Sequence, residues 1–139
     1  MFVNRVCASG VQQMPEIKRP LSPHLTIYKW EVSNSLSIFH RMSGVALSVG
    51  MLALLAWLIS AALGEAAYNC VINILKGPFG ILVLFGFSIS FFYHLGNGIR
   101  HLVWDVGYGF DKEVARLSGW FVLGTSIACT ALFWLGMMS

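Results

Sequence analysis

Among the polar residues of this 139-residue chain, His94, His101 and Asp105 have the type and spacing to do chemistry. At helical spacing they share one stripe with Ser90 and Asn97/Gly98, and Gly86 extends it. The small residues above and below His94 let something bulky come close to the backbone. Arg100, the nearest charge, lies six residues on, or roughly 9 Å along a helix. In a lipid-buried stretch, a histidine at that depth is costly without a partner and is a functional candidate by default. It could ligate a metal or haem iron, or hydrogen-bond a neighbouring helix, and the residues leave both open. His94 and His101 are seven residues apart, about 10 Å along one face. Two imidazoles clamping one iron sit on opposite sides of it, about 4 Å apart nitrogen to nitrogen, twice a bond of about 2 Å. One helix cannot arrange that pair. His40 is conceivable as the second ligand but is expected at the end of its helix, nearer the surface; a second chain is the better candidate. Asp105 sits four residues after His101, where its carboxylate either orients the imidazole or forms a helix-end ion pair.

A second group opens the first apolar stretch: Ser37-Ile38-Phe39-His40-Arg41-Met42-Ser43-Gly44. Ser37 and Arg41 are spaced i, i+4 and share a face with Gly44, with His40 beside it. Serine and arginine there could hydrogen-bond a quinone carbonyl, and arginine and histidine could neutralise haem propionates. Composition by itself favours a plainer reading, in which Arg41 snorkels to the headgroups. Upstream, Arg19-Pro20-Leu21-Ser22-Pro23-His24 should be extended, since two prolines oppose a helix. His24 reads as an ordinary surface histidine. Tyr28 and Trp30 suit the headgroup zone, and Ser33, Asn34 and Ser35 are N-cap candidates for the first helix.

The elements that must carry these residues follow from charge. The chain is 57% hydrophobic and 11% charged, less than half the usual share of about 25% for a soluble domain. Three windows, 42–64, 77–99 and 117–139, contain no Asp, Glu, Lys or Arg, and each is 23 residues long. As helices they reach roughly 34 Å, enough for a hydrocarbon core of about 30 Å, and lipid leaves no other partner for their backbone groups. The expected fold is an all-α membrane protein with three transmembrane helices: a segment 1–35 and a helical domain 36–139. Arg5, Lys18, Arg19, Lys29 and Arg41 precede or open the first span, and Arg100, Lys112 and Arg116 lie between the second and third. That side carries eight basic residues against Lys76 alone, so the N-terminus is expected in the cytoplasm or matrix.

The net charge of +3 belongs to this flank, and no basic helix or stacking surface suggests nucleic acid. The first twenty residues hold no apolar core of a signal peptide. With Glu16 and little amphipathic arginine they also make a poor mitochondrial presequence. Cys7, Cys70 and Cys129 have no metal-binding spacing and read as unpaired thiols.

Three stretches then carry a resemblance: Arg19-Pro-Leu-Ser-Pro-His-Leu-Thr-Ile-Tyr28, Ser37-Ile-Phe-His-Arg-Met-Ser-Gly44, and His94-Leu-Gly-Asn-Gly-Ile-Arg-His-Leu-Val-Trp-Asp105. In order and spacing they resemble the cytochrome b large membrane-anchor subunits of succinate dehydrogenase, in their mitochondrial and proteobacterial form. The resemblance covers most of the chain; the final helix and first loop carry none of it. It implies one half of a two-subunit helical anchor, paired with a small anchor subunit and holding an iron–sulfur subunit and a flavoprotein at the inner face. It implies haem b between the anchors, with His94 as one axial ligand and the small anchor supplying the other. His40, Arg41 and His101 would surround the haem and its propionates. Ser37 and Arg41, with Trp30 and Ile38, would form the ubiquinone site. The setting would be a bacterial inner membrane or the mitochondrial inner membrane. A fumarate reductase anchor and a non-redox membrane scaffold are the alternatives. An ion conductor is disfavoured, because the outer halves 52–63 and 79–87 are nearly all apolar.

Overall fold

A computed structural model describes Ile27 and residues 29–139. The proline-rich stretch with His24, and also Cys7 and Tyr28, lie outside the described residues. Four α-helices follow one another: α1 Val32–Leu63, α2 Glu65–Lys76, α3 Pro78–Asp105 and α4 Lys112–Met138. No strand occurs among the described residues. Helices α1, α3 and α4 are long and apolar enough to cross a membrane. Each contains one of the charge-free windows, to within a single residue at one end.

The helices begin and end beyond those windows. α1 has 32 residues, about 48 Å at 1.5 Å each, so it outruns the hydrocarbon and reaches the headgroups. Its N-cap is Glu31, with no side-chain cap bond. Ser33, Asn34 and Ser35 are therefore not the cap but part of the first turn. Two of their hydroxyls are engaged elsewhere: Ser33 accepts from Arg100 and Ser35 from the Trp30 indole.

The first loop is mostly helix. In α2, Tyr68, Val71, Ile72 and Leu75 recur at i, i+3, i+4 and i+7 and are its half-buried face, packed on α1 and α3. Glu65 in its first turn and Lys76 in its last complement the helix dipole. Gly64, at φ 110°, supplies the break from α1 that a side chain would resist. Pro78 opens α3 at a position where its missing N–H costs nothing.

α3 packs against both α1 and α4, and α1 touches α4, so the three long helices enclose a narrow triangular core. That core is small and polar. Leu36, Tyr93 and Val122 are its only buried hydrophobic residues among those described, beside Ser43, Ser60, Asn97, Arg100, Ser126 and Thr130. Small and hydroxyl-bearing residues let membrane helices approach, since lipid gives no hydrophobic drive to associate. Gly50 shows how close: a Cβ there would overlap the Phe87 ring. The large side chains, from Leu52 and Leu55 to Phe79, Phe121 and Leu132, point outward, as suits a chain dissolved in lipid and bound to partners.

Candidate functional site

The polar residues of interest meet where α1 crosses α3. From α1 come His40, Ser43 and Gly44; from α3 come His94, Gly98 and His101. The rings of His40 and His94 stack, with centroids 4.1 Å apart and planes at 15°. His101 tilts against the other side of the group, 5.2 Å from His40. His40 is thus not at the end of its helix. α1 starts eight residues before it, and the ring lies level with His94.

The Nδ1 atom of His94 faces two oxygens of α1, the Ser43 hydroxyl at 3.0 Å and the His40 carbonyl at 3.2 Å. A carbonyl only accepts, so Nδ1 carries the proton and Nε2 keeps its lone pair. Nε2 makes no hydrogen bond to a described residue. Gly44 permits the contact: a Cβ there would sit 3.1 Å from Cε1 of His94. The Nδ1 of His40 is buried and has no hydrogen-bond partner among the described residues.

Two stacked imidazoles 4.1 Å apart leave no room for an iron between them, which needs about 2 Å to each nitrogen and the ring depths besides. Nor do the described residues group three His, Cys, Asp or Glu that could hold a metal ion. The cluster offers the Nε2 of His94, on a ring held through its other nitrogen, and the unpartnered Nδ1 of His40, not a complete ligand set.

The other expected residues lie further along α1. Ser37 is half-buried, while Ile38 and Arg41 are exposed. Ser37 and Arg41 have no hydrogen bond or ion pair to a described residue, so both keep their polar atoms available to something outside the chain. Trp30 precedes the helix and donates its indole N–H to Ser35. Asp105 is not joined to His101. That imidazole meets the edge of Trp104 instead, with centroids 5.1 Å apart at 90°.

Arg100 is the residue that the sequence did not single out. It counted there as a charge of the inner flank, yet it is 6% exposed. Its guanidinium donates to Ser118 Oγ at 3.0 Å, to Asn97 Oδ1 at 3.3 Å, to the Ala115 carbonyl at 2.7 Å and to Ser33 Oγ at 3.5 Å. It also lies 4.0 Å from the centre of the Trp104 ring. One side chain therefore joins α3 to α4 and to the start of α1. Asn97 three residues before it and Trp104 four after, on one helix face, were the available signal. Tyr93 makes a second tie, donating to the Leu36 carbonyl at 2.7 Å.

Three helices able to span, with a small polar core and an imidazole cluster between two of them, define a multi-pass membrane protein. The chain belongs to the succinate dehydrogenase/fumarate reductase transmembrane subunit family, which it matches over residues 15–133. It is 47% identical over 121 residues to the succinate dehydrogenase cytochrome b556 subunit of Rickettsia prowazekii, with 84% of this chain and 91% of that one covered. To the succinate dehydrogenase cytochrome b560 subunit of Reclinomonas americana it is 39% identical over 124 residues, 86% of each. To the mitochondrial b560 subunit of Sus scrofa it is 42% identical over 107 residues, covering 76% of this chain and 63% of that one.

Proposed function

We propose that this chain is the haem-carrying anchor of a succinate:ubiquinone oxidoreductase, in a bacterial inner membrane or the mitochondrial inner membrane. The observation that carries this reading is His94, held through Nδ1 by α1 with Nε2 left free. That is how a ligating histidine is oriented, its second nitrogen fixed by an outer hydrogen bond. The relatives' names as cytochrome b subunits agree with it. So does the orphaned Nδ1 of His40, which a propionate oxygen could satisfy.

In this reading His94 would hold the haem iron, and His40, Arg41 and His101 would bind its propionates. Haem bound there supplies a one-electron carrier beside the quinone site. A small anchor subunit contributes the second axial ligand. Electrons from succinate come through a flavoprotein and an iron–sulfur subunit at the inner face, where the N-terminus lies. Ubiquinone enters from the bilayer between Ser37 and Arg41, near Trp30 and Ile38. Ser37 hydrogen-bonds a carbonyl oxygen and orients the ring. Arg41 stabilises the negative charge that grows on that oxygen as two electrons arrive, before two protons complete the quinol.

His94→Tyr in the intact complex tests the site. The expected result is loss or displacement of the b-type absorption in a reduced-minus-oxidised spectrum, and an unchanged band excludes axial ligation. A wild-type complex with no haem band at all would mark a non-redox scaffold. The family also includes fumarate reductase subunits, the second reading. The relatives compared are all named as succinate dehydrogenase subunits, which favours the first.

A further inference from the structure

We propose that Ser43 is a positioning residue for His94: its hydroxyl accepts the Nδ1–H of the imidazole and so sets the donor strength of Nε2. The inference rests on His94 being a haem ligand.

Ser43 is buried in the α1–α3 contact. Its hydroxyl has one proton, and that proton is given to the His40 carbonyl at 2.8 Å. What remains to face His94 at 3.0 Å is a lone pair. A serine free to rotate could donate to Nδ1 and drive the ring to the other tautomer, leaving its proton on Nε2. The carbonyl prevents this by occupying the hydroxyl proton. It also accepts from Nδ1 itself, at 3.2 Å. Ser43 and the His40 carbonyl thus form a two-oxygen seat that shares the Nδ1 proton of His94, while the hydroxyl proton goes to the carbonyl. Gly44, the next residue, lets the ring settle against α1.

The two oxygens act differently. The carbonyl belongs to the helix backbone and stays whatever side chain stands at 43. It suffices to hold the tautomer. The hydroxyl is a second acceptor, polarised because its own proton is engaged. A stronger acceptor at Nδ1 gives the imidazole partial imidazolate character and raises the basicity of Nε2. A more basic ligand favours the oxidised iron.

The test is a redox titration of the haem in the intact complex, with the electron paramagnetic resonance spectrum of its oxidised form. Ser43→Ala should retain haem, because the carbonyl remains, and shift the midpoint potential upward. Ser43→Thr, which keeps the hydroxyl, should restore the wild-type potential. A Ser43→Ala complex with wild-type potential and resonance positions would overturn the proposal. So would a potential displaced equally by Ala and Thr, the mark of packing alone. If Ala loses the haem, Thr and Val at equal volume decide: retention by Thr only supports the proposal, and equal loss refutes it. Absence of haem from the wild-type complex would refute the functional reading instead, before Ser43 is reached.

Discussion

Single residues on α1 divide the work of the site. Ile38 and Arg41 are exposed and Ser37 is half-buried beside them, while His40, Ser43 and Gly44 meet α3. The two groups should separate by mutation. Arg41→Ala is expected to lower quinone reduction on the order of a hundredfold, as loss of a donor to a developing oxyanion does. Succinate oxidation with an artificial acceptor should stay intact, since Arg41 makes no hydrogen bond or ion pair to a described residue. Parallel loss of both activities would place Arg41 in assembly of the complex. Gly44 meets the His94 ring. Its added Cβ would stand 3.1 Å from His94, a distance that requires the ring to shift by a few tenths of an ångström. Gly44→Ala should therefore perturb the haem spectrum mildly, and Gly44→Val should abolish haem binding with the quinone-facing side chains in place. Equal haem content in all three complexes would show that the ring is not seated against α1.

At the scale of elements, the Arg100 guanidinium, near the end of α3, holds the starts of α1 and α4 to that helix. No carboxylate pairs with it among the described residues; its donors go to hydroxyls, an amide and a carbonyl. Hydrogen bonds from a charged group contribute about 1.5–3 kcal/mol each and do not add simply. Arg100→Met is expected to cost about 3 kcal/mol, read as a lower unfolding midpoint of the complex in detergent. Arg100→Lys should recover little, because a single ammonium cannot span the forked set of acceptors. A midpoint unchanged by both would show that the contacts contribute nothing net. The long helices were legible because charge is excluded from lipid, and that pattern survives any detail of packing. α2 was not: twelve residues with Glu65 and Lys76 at their ends make no charge-free window, and only packing against α1 and α3 selects the helix. The first helix was read as starting near Ser35 because serine and asparagine favour caps. Here Ser33 and Ser35 serve Arg100 and Trp30, and the cap falls at Glu31. The same misplacement set His40 too near the surface. His94 could be singled out from its depth alone, but its partners, Ser43 and the His40 carbonyl, lie about fifty residues away in sequence and follow from no local pattern.

The whole molecule is a fragment of a site. Its triangular core buries few large side chains among the described residues, and the Nε2 of His94 lies where α1 and α3 meet. On the proposed reading, a pair of histidines able to clamp one haem iron is not found among the described residues. His40 stacks on His94 at 4.1 Å, and His101 shares the helix of His94 about 10 Å further along. In that reading the small anchor would supply the second ligand. The chain expressed alone should therefore show little or no six-coordinate low-spin haem, and co-expression with the small anchor should restore it. Within the complex, His40→Gln and His101→Gln should keep a six-coordinate spectrum while shifting its potential, because in the proposed reading both rings would flank the haem without binding iron. Only His94 and one histidine of the small anchor should convert it to a five-coordinate form. A six-coordinate bis-histidine spectrum from the isolated chain, or five-coordinate haem in the His40→Gln complex, would mean that the stacked pair reopens to clamp the iron from within one subunit.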